Sequence, residues 1–461
     1  MARHPKRGFR GRSACTPTSG SQPPFFSALL LCAVSVTILG CQQGRTLPAT
    51  PNLYADRDES PFDAVAPEYQ TGPVELFYVT DRSPSARDGS NLSYGSKRST
   101  SVAIGRCIVD IGDGMSWDEL VRSSLDPRES VKVPLAISYT EELVRFPSSS
   151  AALRVVDGVP VEDPELVAER EHATESALAL LSERLAKTQR KEAYVFIHGI
   201  NNSFEDPMYR MAQLWHMMGR TGVPIVYTWP ANPDLGPLRG YTHDRESGEF
   251  TVYHLRKFLQ RLASCPDLER VHILAHSRGT DIATTALREI HLQAQARGVP
   301  TAEELKLGNL ILAAPDLDLQ VAVQRLRPDL VHLAPSRFTI YVSDGDKAIG
   351  IAEWLFSSIE RLGRLRSTGL SNEQQTNLSL GVLDLIDAKV SDLGPNGHSY
   401  FIDNPAVLSD LILLLRDDRS AGPEHGRPLI RDESGFWNLY DGYPYEGLHA
   451  RRADIEAEVE P

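Results

Sequence analysis

The most informative stretch of the sequence is VHILAHSRGT, at residues 271–280. Its first five residues form a short apolar run, which is typical of a strand buried on both faces. A helical pattern then runs from Arg278 to Gln295. Ser277 is therefore predicted at a sharp strand-to-helix turn, where its hydroxyl projects above the sheet edge with a helix N-terminus behind it.

The residues around Ser277 follow the G-x-S-x-G pattern of a nucleophilic serine, except that Ala275 replaces the first glycine. Small residues at the flanking positions let the backbone make the sharp turn. We interpret Ser277 as the candidate nucleophile. A serine that only caps the following helix is the alternative at this position.

Apolar runs and helical patterns alternate regularly from residue 174 onwards. Strands are predicted at residues 193–197, 223–228, 271–275, 310–314, 338–342 and 382–390, the last of these as the final strand. Helices are predicted at residues 174–190, 206–220, 246–263, 278–295 and 405–415, with a loop at residues 240–244. This alternation predicts an α/β fold with a doubly wound, mostly parallel sheet.

A serine nucleophile needs a general base, and the base needs an acid that orients it. In such folds the chain order is serine, acid, histidine. His398 lies in GPNGHSY, at residues 394–400, between the last predicted strand and the last predicted helix. A loop at this place suits a mobile, exposed imidazole, and we predict His398 as the base.

Three aspartates compete for the role of the acid. Asp346 follows the strand at residues 338–342, which is the usual position, and it is the preferred candidate. Asp316 follows the previous strand, where capping of the next helix is its other possible role. Asp344 is a near neighbour of Asp346 and stays open as a third candidate.

The stretch FIHG, at residues 196–199, ends an earlier strand. Gly199 allows the backbone to turn so that an amide points at the reacting centre. We predict the backbone amides of Ile200 and Arg278 as the pair of donors that stabilises a tetrahedral intermediate. The side chain of His198 is interpreted as structural.

Several stretches together resemble the bacterial α/β-hydrolase family of unknown function, a relative of lipases and esterases. They are VELFYVTDR (74–82), YVFIHGINNSFEDP (194–207), YTWPA (227–231), YTHDRES (241–247), ILAHSRGT (273–280), LILAAPDLD (310–318), YVSDGD (341–346) and GHSYF (397–401). The resemblance implies the α/β-hydrolase fold and a Ser–Asp–His triad. That family commonly has Met after the serine, where this chain has Arg278. The family has no settled substrate and therefore implies none here.

The predicted function is that of a serine hydrolase, esterase-like or lipase-like, which cleaves a small-molecule or lipid carboxylic ester through an acyl-enzyme. A thioesterase or an amidase would use the same triad. The alternative from another class is a non-enzymatic envelope lipoprotein that keeps the fold for binding or scaffolding. No cofactor and no metal are expected, because the sequence has no HExxH, no CxxC pair, no P-loop and no GxGxxG.

The first forty residues have the pattern of a secretory signal peptide. Residues 1–24 carry five basic residues and no acid, and an apolar run follows at residues 25–39. This run is shorter than the ~20 residues of a bilayer-spanning helix. It ends in ILGC, which resembles a lipobox, so Cys41 is predicted to carry lipid. Gln42 follows the cysteine, and we expect a lipid-anchored protein on the periplasmic side of the outer membrane in the cell envelope.

The chain has 461 residues and a formal charge of −13, which makes a generic nucleic-acid binder an unlikely class. The segments are predicted as a signal peptide (1–40), a tether (41–72), a β-rich extension packed on the core (73–172), the hydrolase domain (173–419) and an acidic, partly disordered tail (420–461). Only Cys107 and Cys265 follow Cys41. Two buried free thiols are expected there.

Overall fold

The structure is a computed structural model that describes residues 46–55, 60–88, 91–149, 153–346, 362, 383–394 and 397–445. Its strands are β1 (Pro73–Asp88), β2 (Asn91–Ile111), β3 (Leu135–Arg145), β4 (Leu153–Val156), β5 (Val159–Glu162), β6 (Glu192–Ile197), β7 (Val223–Thr228), β8 (Arg270–His276), β9 (Leu307–Ala313), β10 (Arg337–Val342), β11 (Leu383–Lys389), β12 (Ile430–Arg431) and β13 (Trp437–Tyr440).

The α-helices are α1 (Trp117–Leu125), α2 (Pro164–Ala186), α3 (Asp206–Met217), α4 (Pro237–Ala263), α5 (Gly279–Ala296), α6 (Thr301–Leu305), α7 (Leu319–Leu326), α8 (Tyr400–Asp403) and α9 (Pro405–Leu415). Short 3-10 helices lie at Asn52–Tyr54, Pro67–Tyr69, Ser130–Lys132, Val331–Leu333 and Pro423–His425.

The main sheet joins eleven of these strands in the order β12-β13-β11-β10-β9-β8-β6-β7-β1-β2-β3. Every pair from β13 through to β1 is parallel. The pairs at the two edges, β12 with β13 and β1 to β3, are antiparallel. The predicted mostly parallel sheet is confirmed.

Alternate residues of the central strands enter two separate cores, one on each face of the sheet. In β6, Tyr194 and Phe196 pack with residues of α3 and α9, whereas Val195 and Ile197 pack with residues of α2, α4 and α5. Helices therefore cover both faces of the sheet, which explains the continuous apolar runs of its strands. This arrangement of the helices confirms the predicted doubly wound sheet.

The segment before the hydrolase region continues the same sheet. β1 pairs in parallel with β7, from Phe77 opposite Ile225 to Thr80 opposite Thr228. Gly105 lies inside β2, where a Cβ would be 2.1 Å from the backbone carbonyl oxygen of Glu141 and 2.3 Å from the ring of Tyr78. A glycine inside a strand often marks such a close approach of another backbone.

Two element predictions are wrong. Residues 240–244 are not a loop but part of α4, which begins at Pro237, a favoured residue at the first helical position. This turn of the helix buries Asp244 as well as Tyr241, and the buried carboxylate interrupts the apolar period by which a helix is recognised. The strand at residues 382–390 is not the final one, because β12 and β13 follow it. β12 and β13 are too short for their sequences to show a clear apolar period.

Arg427, in the C-terminal tail, packs inside the protein with its guanidinium fully buried. Its Nε and Nη2 atoms donate to the two carboxylate oxygens of Asp410 at 2.8 and 2.7 Å. The hydroxyls of Tyr341 and Tyr443 donate to the same carboxylate, each at 2.6 Å. Residues 446–461, and residues 1–45 with Cys41, lie outside the described residues.

Within the described ranges, no helix has both the length and the apolar character that crossing a bilayer requires. Cys107 and Cys265 are buried free thiols, as expected from the sequence.

Candidate active site

Ser277 occupies the turn between β8 and α5. Its φ is +53°, a left-handed conformation that residues other than glycine adopt rarely and that is often found at functional sites. Its backbone N–H donates to the carbonyl of Ala313 at 3.0 Å, and its carbonyl accepts from the N–H of Asp316 at 3.2 Å. The turn is thus fixed against the end of β9, in the strand–turn–helix context that the sequence predicts for a nucleophile.

Two glycines bring the loop after β6 against this turn. A Cβ on Gly279 would lie 2.5 Å from the carbonyl oxygen of His198, and a Cβ on Gly199 would lie 2.6 Å from the Cβ of Ser277. Real Cβ atoms do not approach other atoms so closely, and both positions therefore need glycine. Ile200, whose amide is one predicted oxyanion donor, follows directly in this loop.

His398 and Asp346 are in direct contact. His398 Nδ1 lies 2.7 Å from Asp346 Oδ2, and the Asp346 side chain is fully buried. Burial lowers the pKa of His398, but the charge of Asp346 and the hydrogen bond outweigh burial and raise the pKa above its usual value. A proton on Nδ1 is held by the carboxylate, which leaves Nε2 as the basic nitrogen.

His276 brings the loop of His398 to the end of β8. The Nε2–H of His276 donates to the backbone carbonyl of His398 at 3.0 Å, and the two ring centroids are 4.7 Å apart. Burial, and then repulsion by His398, hold the pKa of His276 well below its usual value, so its ring stays neutral. His398 is thereby placed beside the residue that precedes Ser277.

The two alternative acids are placed differently from Asp346. Asp316 is buried beside the turn, and its Oδ2 accepts from the hydroxyl of Tyr241 at 3.2 Å. Tyr241 was expected in a loop but lies on α4. Asp344 is exposed. The structure defines a hydrogen bond to the His398 ring for Asp346, the preferred candidate.

Arg278 supplies the second predicted oxyanion amide and has a buried side chain. Its Nη2 lies 2.7 Å from Oδ2 of Asp281, a carboxylate that also pairs with Arg325. Burial lowers the pKa of Arg278, but Asp281 and Asp316 outweigh it and raise the pKa. The side chain therefore stays charged next to Ser277.

The predicted structural role of His198 agrees with its contacts. Its Nε2 accepts from the backbone N–H of Trp229 at 3.1 Å, and its Nδ1–H donates to the carbonyl of Gly199 at 2.8 Å. The ring stacks on Trp229 with a centroid distance of 5.0 Å. Burial holds the pKa of His198 well below its usual value, so the ring is a neutral link between two loops.

Sequence reasoning assigned no role to Arg82, which fixes the same two loops. Its guanidinium is buried and donates to the carbonyls of Asn202 at 2.9 Å and Ala231 at 3.0 Å, and to Thr228 Oγ1 at 3.1 Å. Burial lowers the pKa of Arg82 to about 10. The sequence signal that could have identified Arg82 is its position in VELFYVTDR, one of the stretches that resemble the family.

Asp244 was missed as well. Its carboxylate is fully buried and accepts the backbone N–H groups of Asn201 and Asn232, each at 2.8 Å. Burial raises the pKa of this carboxyl. Asn201 has a left-handed φ of +59°, so the loop that carries the Ile200 amide is held in an uncommon conformation. Asp244 therefore positions a predicted oxyanion donor.

Within the part of the chain that the structure describes, no three His, Cys, Asp or Glu side chains group so as to hold a metal ion. The sequence-based expectation of a site without metal or cofactor stays a prediction.

The model of the family described as alpha/beta hydrolase of unknown function (DUF900) matches residues 173–416, more than half of the chain. The matched range includes β6 to β11 and α9, and with them Ser277, Asp346 and His398. No curated protein matches the chain.

Proposed function

This chain belongs to the family of alpha/beta hydrolases of unknown function, and we propose that it is a serine hydrolase of carboxylic esters. Ser277 is the nucleophile, His398 the general base and Asp346 the orienting acid. The observation that carries the proposal is the 2.7 Å contact between His398 Nδ1 and Asp346 Oδ2, in a loop that touches the residue before Ser277. A fold of this kind hosts many chemistries, so the proposal depends on these side chains and not on the fold alone.

The reaction follows from the positions of the protons. His398 Nε2 takes the proton of Ser277 as its Oγ attacks the ester carbonyl carbon, and Asp346 stabilises the resulting imidazolium. The amides of Ile200 and Arg278 donate to the oxyanion of the tetrahedral intermediate. Its collapse breaks the C–O bond, and His398 returns the proton to the leaving alcohol. Water then attacks the acyl-enzyme with the same base and releases the acid.

A fluorophosphonate probe distinguishes the hydrolase from a scaffold with the same fold. We expect the probe to label the wild-type chain and Ser264→Ala, a control at an exposed serine near the end of α4. Ser277→Ala should not be labelled. Absence of labelling in the wild type, or equal labelling of Ser277→Ala, would favour the non-enzymatic alternative. A panel of p-nitrophenyl esters, thioesters and amides then identifies the bond that is cleaved.

For the N-terminus we propose a lipid anchor at Cys41, which would tether the hydrolase to the outer membrane on its periplasmic side. The support is the basic start, the short apolar run and the ILGC sequence. Metabolic palmitate labelling should mark the wild type and Cys15→Ser but not Cys41→Ser. Equal labelling of all three chains would contradict the anchor.

A further inference from the structure

A cavity of about 260 Å³ lies between the middle of β2, the turn after β3, and helices α2 and α4. None of the proposed catalytic residues lines it. Its wall includes Arg170 from α2, Lys257 and Arg261 from α4, and Ser149. Holding one water needs about 10–15 Å³ of such space, so the cavity has room for a small organic molecule.

Among the described residues, no acid forms an ion pair with two of these cations, although the charge of Glu162, which also lines the cavity, acts to raise the pKa of Lys257. Lys257 and Arg261 are one helical turn apart, on the same face of α4, and both are half-buried. The Arg261 guanidinium lies 4.3 Å from the ring centroid of Phe146, which fixes its plane. Arg170 differs from both, because it pairs with Glu162 at 3.2 Å.

Lys257 and Arg261 repel each other, and both side chains are partly shielded from water. Burial and then the neighbouring arginines lower the pKa of Lys257, and burial followed by Arg170 lowers the pKa of Arg261. Both shifts mean that the free protein holds these charges at a cost, which an anion in the cavity would relieve. The carboxylate of Asp163 is engaged in accepting the N–H of Glu165 at 3.1 Å.

We propose that this cavity binds a phosphate monoester of a small hydroxylated molecule, with the phosphate between Lys257 and Arg261. The two acids that also line the cavity are engaged elsewhere, Glu162 with Arg170 and Asp163 with Arg154. A phosphate monoester carries about −1.5 to −2 charges at pH 7, which matches the two remaining cations better than a carboxylate does. The arginine fork also suits phosphate oxygens.

Ser149 and His254, which also line the cavity, are arranged to meet hydroxyl groups. Ser149 Oγ lies 3.1 Å from His254 Nε2, and His254 Nδ1 lies 3.2 Å from Oδ2 of the buried Asp81. Thr251 donates to the same oxygen at 2.8 Å. A proton on Nδ1 leaves Nε2 to accept from the Ser149 hydroxyl, which keeps its oxygen available to a hydroxyl of the ligand. This array fixes the turn that closes the cavity.

Calorimetric titration with glycerol 3-phosphate tests the proposal. The wild-type chain should bind this probe saturably, inorganic phosphate more weakly, and glycerol not measurably. Lys257→Gln and Arg261→Gln should each weaken binding of glycerol 3-phosphate at least tenfold. Lys132→Gln should bind as the wild type does, because Lys132 is exposed and pairs with Glu129 at 2.9 Å.

Thermal unfolding without ligand shows whether a loss of binding is only a loss of folding. Lys257→Gln should have a Tm equal to or above that of the wild type, because one of two repelling charges is gone, and Arg261→Gln, which also loses the contact with Phe146, should stay within a few degrees of it. Both variants should lose the Tm rise that glycerol 3-phosphate gives. No saturable binding by the wild type, or unchanged affinity in both α4 variants, would overturn the site. Equal affinity for inorganic phosphate and glycerol 3-phosphate would contradict the proposal that the ligand has a hydroxylated part besides its phosphate.

Discussion

His398 and Asp346 are 52 positions apart in sequence, yet Nδ1 of the imidazole lies 2.7 Å from Oδ2 of the carboxylate. The carboxylate is fully buried, and the imidazole keeps 16% of its side chain exposed. An acid shielded from water and a base that can reach substrate are the two environments that a serine hydrolase needs. This contact separates Asp346 from the two aspartates that compete with it in the sequence.

The first prediction concerns the acid. Asp346→Asn should reduce kcat on the best p-nitrophenyl ester by about 10⁴, because the asparagine favours the wrong histidine tautomer. Asp316→Asn should cost far less, because the Asp316 carboxylate accepts from Tyr241. If Asp316→Asn is the inactive variant and still folds, the assignment of the acid is reversed.

The second prediction concerns pH. The base acts only as neutral imidazole, and Asp346 raises the pKa of His398 above its usual value. We therefore expect kcat/KM to fall as the pH drops through an apparent pKa above 6.5, the ordinary value for histidine. In Asp346→Asn the inflection should move to lower pH, because burial then acts without the opposing carboxylate. An unmoved inflection would show that another group titrates.

The third prediction concerns the loop after β6. Asp244→Asn keeps the shape of the side chain but replaces one of two acceptors that hold the N–H groups of Asn201 and Asn232. Loss of one oxyanion donor costs about 10²–10³ in kcat, and misplacing it should cost roughly tenfold or more. Asp234→Asn, at an exposed position before α4, is the control and should leave kcat unchanged. A change in KM with constant kcat would mean that Asp244 acts on binding only.

The fourth prediction concerns the tail. Arg427→Met removes one partner of a fully buried ion pair and leaves the charge of Asp410 without its cation. Breaking such a pair costs about 3–5 kcal/mol of the free energy of unfolding, measured by denaturant titration. Arg427→Met with Asp410→Asn should recover part of this loss. A change below about 1 kcal/mol would show that Tyr341 and Tyr443 suffice to hold the carboxylate.

The parts of the fold that follow a simple apolar pattern could be predicted from the sequence. The helix at residues 405–415 was predicted with the bounds that α9 has, because a proline begins it and its residues are apolar except at Ser409 and Asp410. The strand–Ser277–helix turn was also predictable, because small residues flank the serine in the sequence. In the structure, the loop after β6 packs so closely against this turn that Gly279 has no room for a side chain.

The remaining parts depend on contacts between distant residues. Arg82 and Asp244 bind backbone groups from inside the protein, and a buried polar side chain has no apolar period that would reveal it. The choice among Asp316, Asp344 and Asp346 depends on a distance across two loops. Lys257 and Arg261, the paired cations of the cavity between α2 and α4, are likewise spaced as on any solvated helix face, and burial alone distinguishes them.

The double-mutant cycle of Ser277→Ala and His398→Ala tests the central claim most directly. If the two residues form one catalytic unit, each single variant should lose nearly as much kcat as the double variant, because a base without its nucleophile has nothing to activate. All three variants should keep a Tm within a few degrees of the wild type. Losses in log kcat that add fully in the double variant would show that Ser277 and His398 act independently and that the triad is assigned to the wrong residues.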